Sequence, residues 1–155
     1  MPGSLSHAPS VVVQNLLIAL GIGTRQSADG AWPVYATQEP TKPDEVITIY
    51  DTEGRTGNRD APTKERPEYN GIQIRVRGQN YADGHTKAEA IAIALDSSVF
   101  KTAVSVPDAS GTGSTSYMVW MMRRISGPLA LGKESPTSRR DLFTINAEVS
   151  LRQSS

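Results

Sequence analysis

The chain has 155 residues, of which 37 % are apolar, and its 16 basic and 16 acidic residues give a formal net charge of zero. This length fits one domain with its own core, and zero net charge provides no general attraction to nucleic acid. The absence of cysteine excludes disulfides and thiolate metal sites. The apolar runs are too short to cross a membrane, and no basic segment precedes the first of them, so we expect a soluble protein made in the cytoplasm.

The first third of the chain predicts an arm, one helix and one strand. Residues 1–9 are expected to form a flexible arm ahead of a folded part over residues 10–152, within a single domain. Ser10 is a possible N-cap for a helix over Val11–Leu20, which has a broad apolar face. Alternating apolar residues then predict a strand over Val46–Tyr50.

A long charged loop is predicted over residues 51–68. Nine of its eighteen residues are charged, with a net charge of −1, and it contains two prolines. A loop of this length exceeds most connections, so we expect it to be functional or mobile. Its acidic side chains are candidates for contact with a basic surface, and they are Asp51, Glu53, Asp60, Glu65 and Glu68.

The next segment predicts a strand followed by a helix. In "GIQIRVRG", aliphatic residues alternate with Gln73, Arg75 and Arg77, so one face of the strand is apolar and the other is polar. The segment "DGHTKAEAIAIALDSS" predicts a helix with Asp83 as a possible N-cap. Its many alanines suit close packing on a sheet.

The C-terminal part of the chain predicts strands separated by flexible segments. "VFKTAVSV" is a candidate short strand, Pro107–Ser116 has the composition of a hairpin tip, and Tyr117–Ile125 predicts another strand. "SGPLALGKESPTSRR" then predicts a loop, and "LFTINAEVSLR" alternates strictly as the last strand. Together the elements predict an α+β domain with a mostly antiparallel sheet of four to five strands, two helices on one face and long polar loops.

Catalytic and metal-binding patterns are weak. His7 and His85 lie far apart in the sequence and lack the spacing of a metal pair. No grouping of a nucleophile with a base and a third orienting group can be recognised. The segment "DTEGRTGNRD" lacks the terminal glutamate of a calcium loop. We therefore expect no enzyme activity, no cofactor and no metal site.

Arginines are the stronger signal. Residues 123–140 contain five basic residues and one acidic residue, a net charge of +4. Three interpretations remain open: a solvated face, contact with phosphates, or pairing between subunits with the acidic loop. RNA binding by a sheet face is disfavoured, because the strands lack the stacking aromatics. The candidate residues are Arg75, Arg77, Arg123, Arg124, Arg139 and Arg140.

The ordered set of segments resembles the minor capsid or tail-completion proteins of tailed bacteriophages, of the tail terminator type. The likeness rests on "PD" before a strand that ends in "YDT", on "IQIRVRGQNY" with the helix after it, and on "GPLALG" before "FTINAEV". It extends over about residues 9–152. The resemblance implies a homo-oligomeric ring, commonly a hexamer, that caps the head-proximal end of the tail tube in the virion.

The same resemblance implies the partners of such a ring. They are the tail tube protein, a head-side connector or stopper protein, and the genomic DNA that passes through the lumen without sequence specificity. The arginines would then face a neighbouring subunit or the lumen. The charge is split along the chain, with six basic and nine acidic residues over 1–70 and ten basic and seven acidic over 71–155, which suits head-to-tail contact between copies.

Two alternatives to the tail terminator remain. One is another head–tail adaptor or connector protein of the same virion. The other is a small nucleic-acid-binding module that uses the basic segment 123–140, and it would show steep salt dependence on duplexes.

Overall fold

A computed structural model describes most of the chain, over residues 5–25, 31–56, 68–97, 99–108, 111 and 113–154. These parts contain two helices and six strands. In chain order they are α1 (Pro9–Ala19), β1 (Val34–Ala36), β2 (Val46–Thr56), β3 (Glu68–Gly78), α2 (Tyr81–Ser97), β4 (Phe100–Pro107), β5 (Ser114–Lys133) and β6 (Asp141–Ser154).

The six strands form one mixed sheet in the order β1-β2-β3-β6-β5-β4. The α+β class is confirmed, but the prediction of four to five strands was wrong, because three-residue β1 is too short to stand out in the sequence. The sheet is also not purely antiparallel. Segment 37–45 carries the chain back along β1, so that β1 and β2 pair in parallel, with Val34 opposite Ile47. The other four pairs are antiparallel.

Both helices bury apolar side chains against the same face of the sheet, as predicted. The alternation in β3 directs Ile72, Ile74 and Val76 into the core, where they are fully buried. Helix α1 contacts β1 and β2 at one edge and β4 at the other, so the sheet curls around it. Helix α2 lies across β3, β6 and β5.

The start of each helix differs from its predicted start. Helix α1 begins at Pro9, and Ser10 lies inside its first turn with its N–H and hydroxyl donating to the two carboxylate oxygens of Asp51, at 2.9 and 2.6 Å. Helix α2 is capped by Asn80 rather than Asp83, because the Asn80 Oδ1 accepts the Asp83 N–H at 2.9 Å. The sequence alone did not identify the N-cap residue of either helix, because several polar residues precede each apolar stripe.

Strand β5 extends through a segment that was predicted to be a loop. Residues 126–133 pair with β6 through irregular register shifts, which accommodate the glycines and the proline that suggested a loop. Gly127 has φ of +101°, and a Cβ there would lie 2.4 Å from the Thr144 carbonyl oxygen. Only glycine fits at this position.

The predicted charged loop 51–68 is shorter in the structure. Strand β2 continues to Thr56 and β3 begins at Glu68. The hairpin tip between β4 and β5 is likewise shorter than predicted, because Pro107 pairs with Ser114. Residues 57–67, 109–110 and 112 lie outside the described residues.

The described part of the predicted arm contacts the sheet. The Ser6 N–H donates to Gln153, and the His7 N–H donates to the buried Tyr117 hydroxyl at 2.9 Å. The His7 ring also lies 2.8 Å from that hydroxyl and 3.6 Å from Asp108. Residues 1–4 lie outside the described residues.

The bond between Asp51 and Ser10 predicts a loss of stability in Asp51→Ala. This substitution removes the acceptor for a donor that the first turn of α1 cannot satisfy itself, so the free energy of unfolding should fall by about 1–2 kcal/mol. Denaturant unfolding measures it. Glu53→Ala, on the exposed part of the same strand, should change it by less than about 0.5 kcal/mol. Equal losses in both variants would contradict this role of Asp51.

The raised pKa of Tyr117 predicts that the protein loses stability at alkaline pH. Burial raises the pKa of its phenol, the bond from His7 lowers it and Asp108 raises it again. A raised folded pKa means that the stabilisation is complete below the unfolded pKa of about 10 and is lost as the pH rises through the folded pKa.

Tyr117→Phe isolates this contribution. At neutral pH it should lower the free energy of unfolding by about 1 kcal/mol, because the hydroxyl bond to His7 is lost. The difference between wild type and Tyr117→Phe should then shrink as the pH rises above about 10. Denaturant unfolding at a series of pH values measures it, and a difference that stays constant with pH would contradict the assignment.

Candidate functional site

Arg77 is a buried cation on the polar face of the sheet. It lies on β3 opposite the core-facing side chains, yet only 2 % of its side chain is exposed. Its guanidinium donates to the carbonyl oxygens of Pro43 at 2.6 Å, Thr41 at 3.2 Å and Asp44 at 3.2 Å. Segment 37–45 therefore lies across the polar face and covers Arg77.

Carboxylates and a second arginine complete the surroundings of Arg77. Glu39 lies 3.8 Å from Arg77 and 3.4 Å from Arg75, and Glu134 lies 3.7 Å from Arg77. Arg140 contacts Glu134 and pairs with Asp44 at 2.9 Å. Burial lowers the pKa of Arg77 while Glu39 raises it, and an arginine with carboxylates at this distance stays charged. We call Arg77, Glu39, Glu134, Arg140 and segment 41–44 the arginine clasp.

The six predicted arginines have different environments. Arg77 and Arg140 belong to the clasp, and Arg75 pairs with Glu39 beside it. Arg124 lies on the core side of β5 and pairs with Asp96 of α2 at 2.8 Å. Arg123 is 63 % exposed and lies 4.0 Å from Glu148. Arg139 is exposed in the segment before β6.

An open pocket of about 690 Å³ borders this end of the sheet and is lined in part by Arg139 and Lys133. Its charges are mixed rather than uniformly basic, because Lys133 lies 3.7 Å from Asp141. Asp44, the ion-pair partner of Arg140, also lines it. The pocket therefore has no single charge sign that would select an anion.

The predicted acidic residues do not form one cluster in the described residues. Asp51 is bonded to the first turn of α1. Glu53 is exposed on β2, and Glu68 is the first residue of β3. Asp60 and Glu65 lie outside the described residues.

Sequence reasoning missed an exposed apolar surface on β4 and β5. Phe100 is 71 % exposed and pairs in register with the exposed Met121, and Trp120 lies beside them. The Lys101 ammonium lies 5.6 and 5.7 Å from the ring centres of Phe100 and Trp120. We call Phe100, Lys101, Trp120, Met121 and Arg123 the apolar–basic patch. The signal was present in "YMVWMM", because six apolar residues in a row exceed what one buried face of a strand needs.

Helix α2 carries another exposed apolar side chain, Ile93, which lies between two acidic residues. Ile93 is 63 % exposed on the side of the helix opposite its buried residues. Glu89 and Asp96 flank it at i−4 and i+3 and therefore share its face. Glu89 lies 3.7 Å from His85, and Asp96 pairs with Arg124. We call Glu89, Ile93 and Asp96 the acidic ridge.

No group of three or more histidine or acidic side chains in the described part of the chain could hold a metal ion. No described helix is long and apolar enough to span a bilayer.

Comparison with known proteins identifies the family. The family described as bacteriophage tail terminator protein matches residues 16–134, which is more than half of the chain. Comparison with curated proteins gave no match. The matched region includes the arginine clasp except Arg140, all of α2 and the whole apolar–basic patch. The chain belongs to the phage tail terminator family, as the resemblance in its sequence indicated.

The clasp predicts a large stability loss in Arg77→Ala. The substitution removes the donor for three carbonyl oxygens and takes one of its two arginine partners from Glu39, so the free energy of unfolding should fall by about 3–5 kcal/mol. Arg123→Ala is the matched control, because this exposed arginine should contribute less than about 1 kcal/mol. Denaturant unfolding of both variants measures the difference. Similar small losses would show that segment 37–45 holds its position without Arg77.

Proposed function

We propose that this protein caps the head-proximal end of a phage tail tube as a closed ring of identical subunits. In this role the ring stops tube growth, joins the tube to a head-side connector or stopper protein, and lets the genomic DNA pass through its lumen. The protein is made in the host cytoplasm and becomes part of the virion. Family membership supports this proposal.

One structural observation carries the proposal beyond the family name. The described residues expose eight large apolar side chains, on α2, β4 and β5. Such surfaces on an ordered sheet and helix are typical of contacts with other chains. They are Tyr81, Ile93, Phe100, Trp120, Met121, Ile125, Leu129 and Leu131.

The nucleic-acid-binding alternative receives less support from the geometry. Three of the five basic residues of segment 123–140 pair with acidic residues of the same subunit: Arg124 with Asp96, Arg140 with Asp44, and Lys133 with Asp141. Charges that are already paired release few counterions on DNA. The segment is also largely strand rather than flexible loop.

A capping assay tests the proposed function. Purified protein added to growing tail tubes of the same phage should stop elongation and appear as one ring at a single end, with tube lengths measured by electron microscopy. Light scattering should give a discrete multiple of 16.7 kDa for the assembled protein. Bovine serum albumin at equal concentration is the control for non-specific effects on tube growth.

Other outcomes of this assay separate the alternatives. Tubes that elongate past the added protein would overturn the terminator assignment. Binding to the head-side connector without any effect on tube growth would identify an adaptor instead. Tight duplex binding that weakens steeply with salt would favour the nucleic-acid-binding module.

A further inference from the structure

We propose that the acidic ridge of one subunit docks on the apolar–basic patch of the next subunit around the ring. Helix α2 of each copy then covers Phe100, Trp120 and Met121 of its neighbour. This inference rests on the proposed ring and assigns the surfaces that form it.

The two surfaces face opposite sides of the same sheet. Met122 enters the core, so its neighbour Met121 points to the other face, where Phe100 is its register partner. Helix α2 lies on the core face and turns Ile91 inward and Ile93 outward. A subunit therefore cannot cover its own patch with its own ridge, and it can use both surfaces at once. Contacts of this kind are head-to-tail and generate a ring when the rotation closes.

The two surfaces also match in chemistry. Each has an apolar centre, with Ile93 on one side and the Phe100 and Trp120 rings on the other. The rim of the patch is basic, through Lys101 and Arg123, and the rim of the ridge is acidic. Apolar centres with charged rims of opposite sign are the usual anatomy of specific protein interfaces.

Three of the rim charges, on Lys101, Arg123 and Glu89, remain available to a neighbour, whereas Asp96 pairs with Arg124 of its own subunit. Lys101 contacts aromatic rings, and Arg123 reaches Glu148 only at 4.0 Å. On the ridge, Glu89 faces His85, which carries a charge only when protonated. Lys101 and Glu89 are therefore the pair that we expect to meet across the interface.

The same charges argue against symmetric docking of like surfaces. Patch against patch would bring Lys101 and Arg123 close to their own copies. Ridge against ridge would do the same for Glu89 and Asp96. Like charges placed together across an interface are costly, so the complementary pairing is favoured.

Cross-linking tests the docking directly, because the chain has no cysteine of its own. Ile93→Cys is combined with Phe100→Cys in one variant and with Met121→Cys in another, and both are treated with a short bismaleimide. Head-to-tail docking should give a ladder of covalent multimers on a denaturing gel. Each single-cysteine chain should remain a monomer. Efficient dimers from Ile93→Cys alone would show symmetric docking and overturn the proposal.

Charge exchange provides the second test. Lys101→Glu and Glu89→Lys should each weaken self-association by about tenfold or more, and the double variant should restore it. Ala82→Lys, exposed in the first turn of α2, is the control and should leave association unchanged. Far-ultraviolet circular dichroism verifies that each variant is folded.

Failure of the docking and failure of the proposed function give different results. If the wild-type chain forms a ring, the charge-reversed variants still form it and the double-cysteine variants give no ladder, the docking alone is overturned. The apolar–basic patch would then be assigned to contact with the tail tube protein or the connector. A wild-type chain that neither associates nor stops tube growth would overturn the proposed function and the docking with it.

Discussion

The buried guanidinium of Arg77 is the constraint on which the rest of the polar face depends. The alternation of β3 places this side chain on the wet side of the sheet, yet it is almost fully buried. An arginine out of water costs several kcal/mol unless its donors and its charge are both matched. Carbonyl oxygens of segment 41–44 match the donors, and Glu39 and Glu134 match the charge.

This requirement shapes the path of the chain around β1 and β2. Segment 37–45 must lie over β3 to supply its carbonyl oxygens, so the chain cannot turn directly from β1 into a hairpin. It crosses the polar face first and then enters β2 beside β1, which makes this pair parallel. The polar face around Arg77 is covered in this way. On β4 and β5, the apolar–basic patch stays uncovered.

The sequence predicted those features that depend on local alternation. β3 and β6 were recognised because their apolar residues follow a period of two, and α2 because of its alanine-rich stripe. The continuation of β5 past Ile125 was missed, because Gly127 and Pro128 normally end strands and are tolerated here at register shifts. Local composition cannot show that a partner strand, β6, continues beside them.

The environments of the arginines could not be predicted for a related reason. Arg75 and Arg77 have the same sequence pattern, but the burial of Arg77 depends on a segment more than thirty residues earlier. The sequence therefore named the candidate arginines, but it could not show which of them lie together on one surface. Only the run "YMVWMM" indicated the apolar part of the site, because a strand with one buried face does not need six apolar residues in a row.

Part of the uneven charge of the chain is used within one subunit. Glu39 and Asp44, from the acidic half, pair with Arg75, Arg77 and Arg140 of the basic half inside one subunit. These pairs hold segment 37–45 on the sheet. Among the described residues, Lys101, Arg123 and Glu89 lie beside exposed apolar side chains and are open to contacts between copies. A few buried apolar residues usually supply most of the binding energy of an interface. The charged residues around them act chiefly on the orientation of the two subunits and on their association rate. A neighbour would thus be bound by the exposed apolar side chains of the patch and oriented by the charges around them.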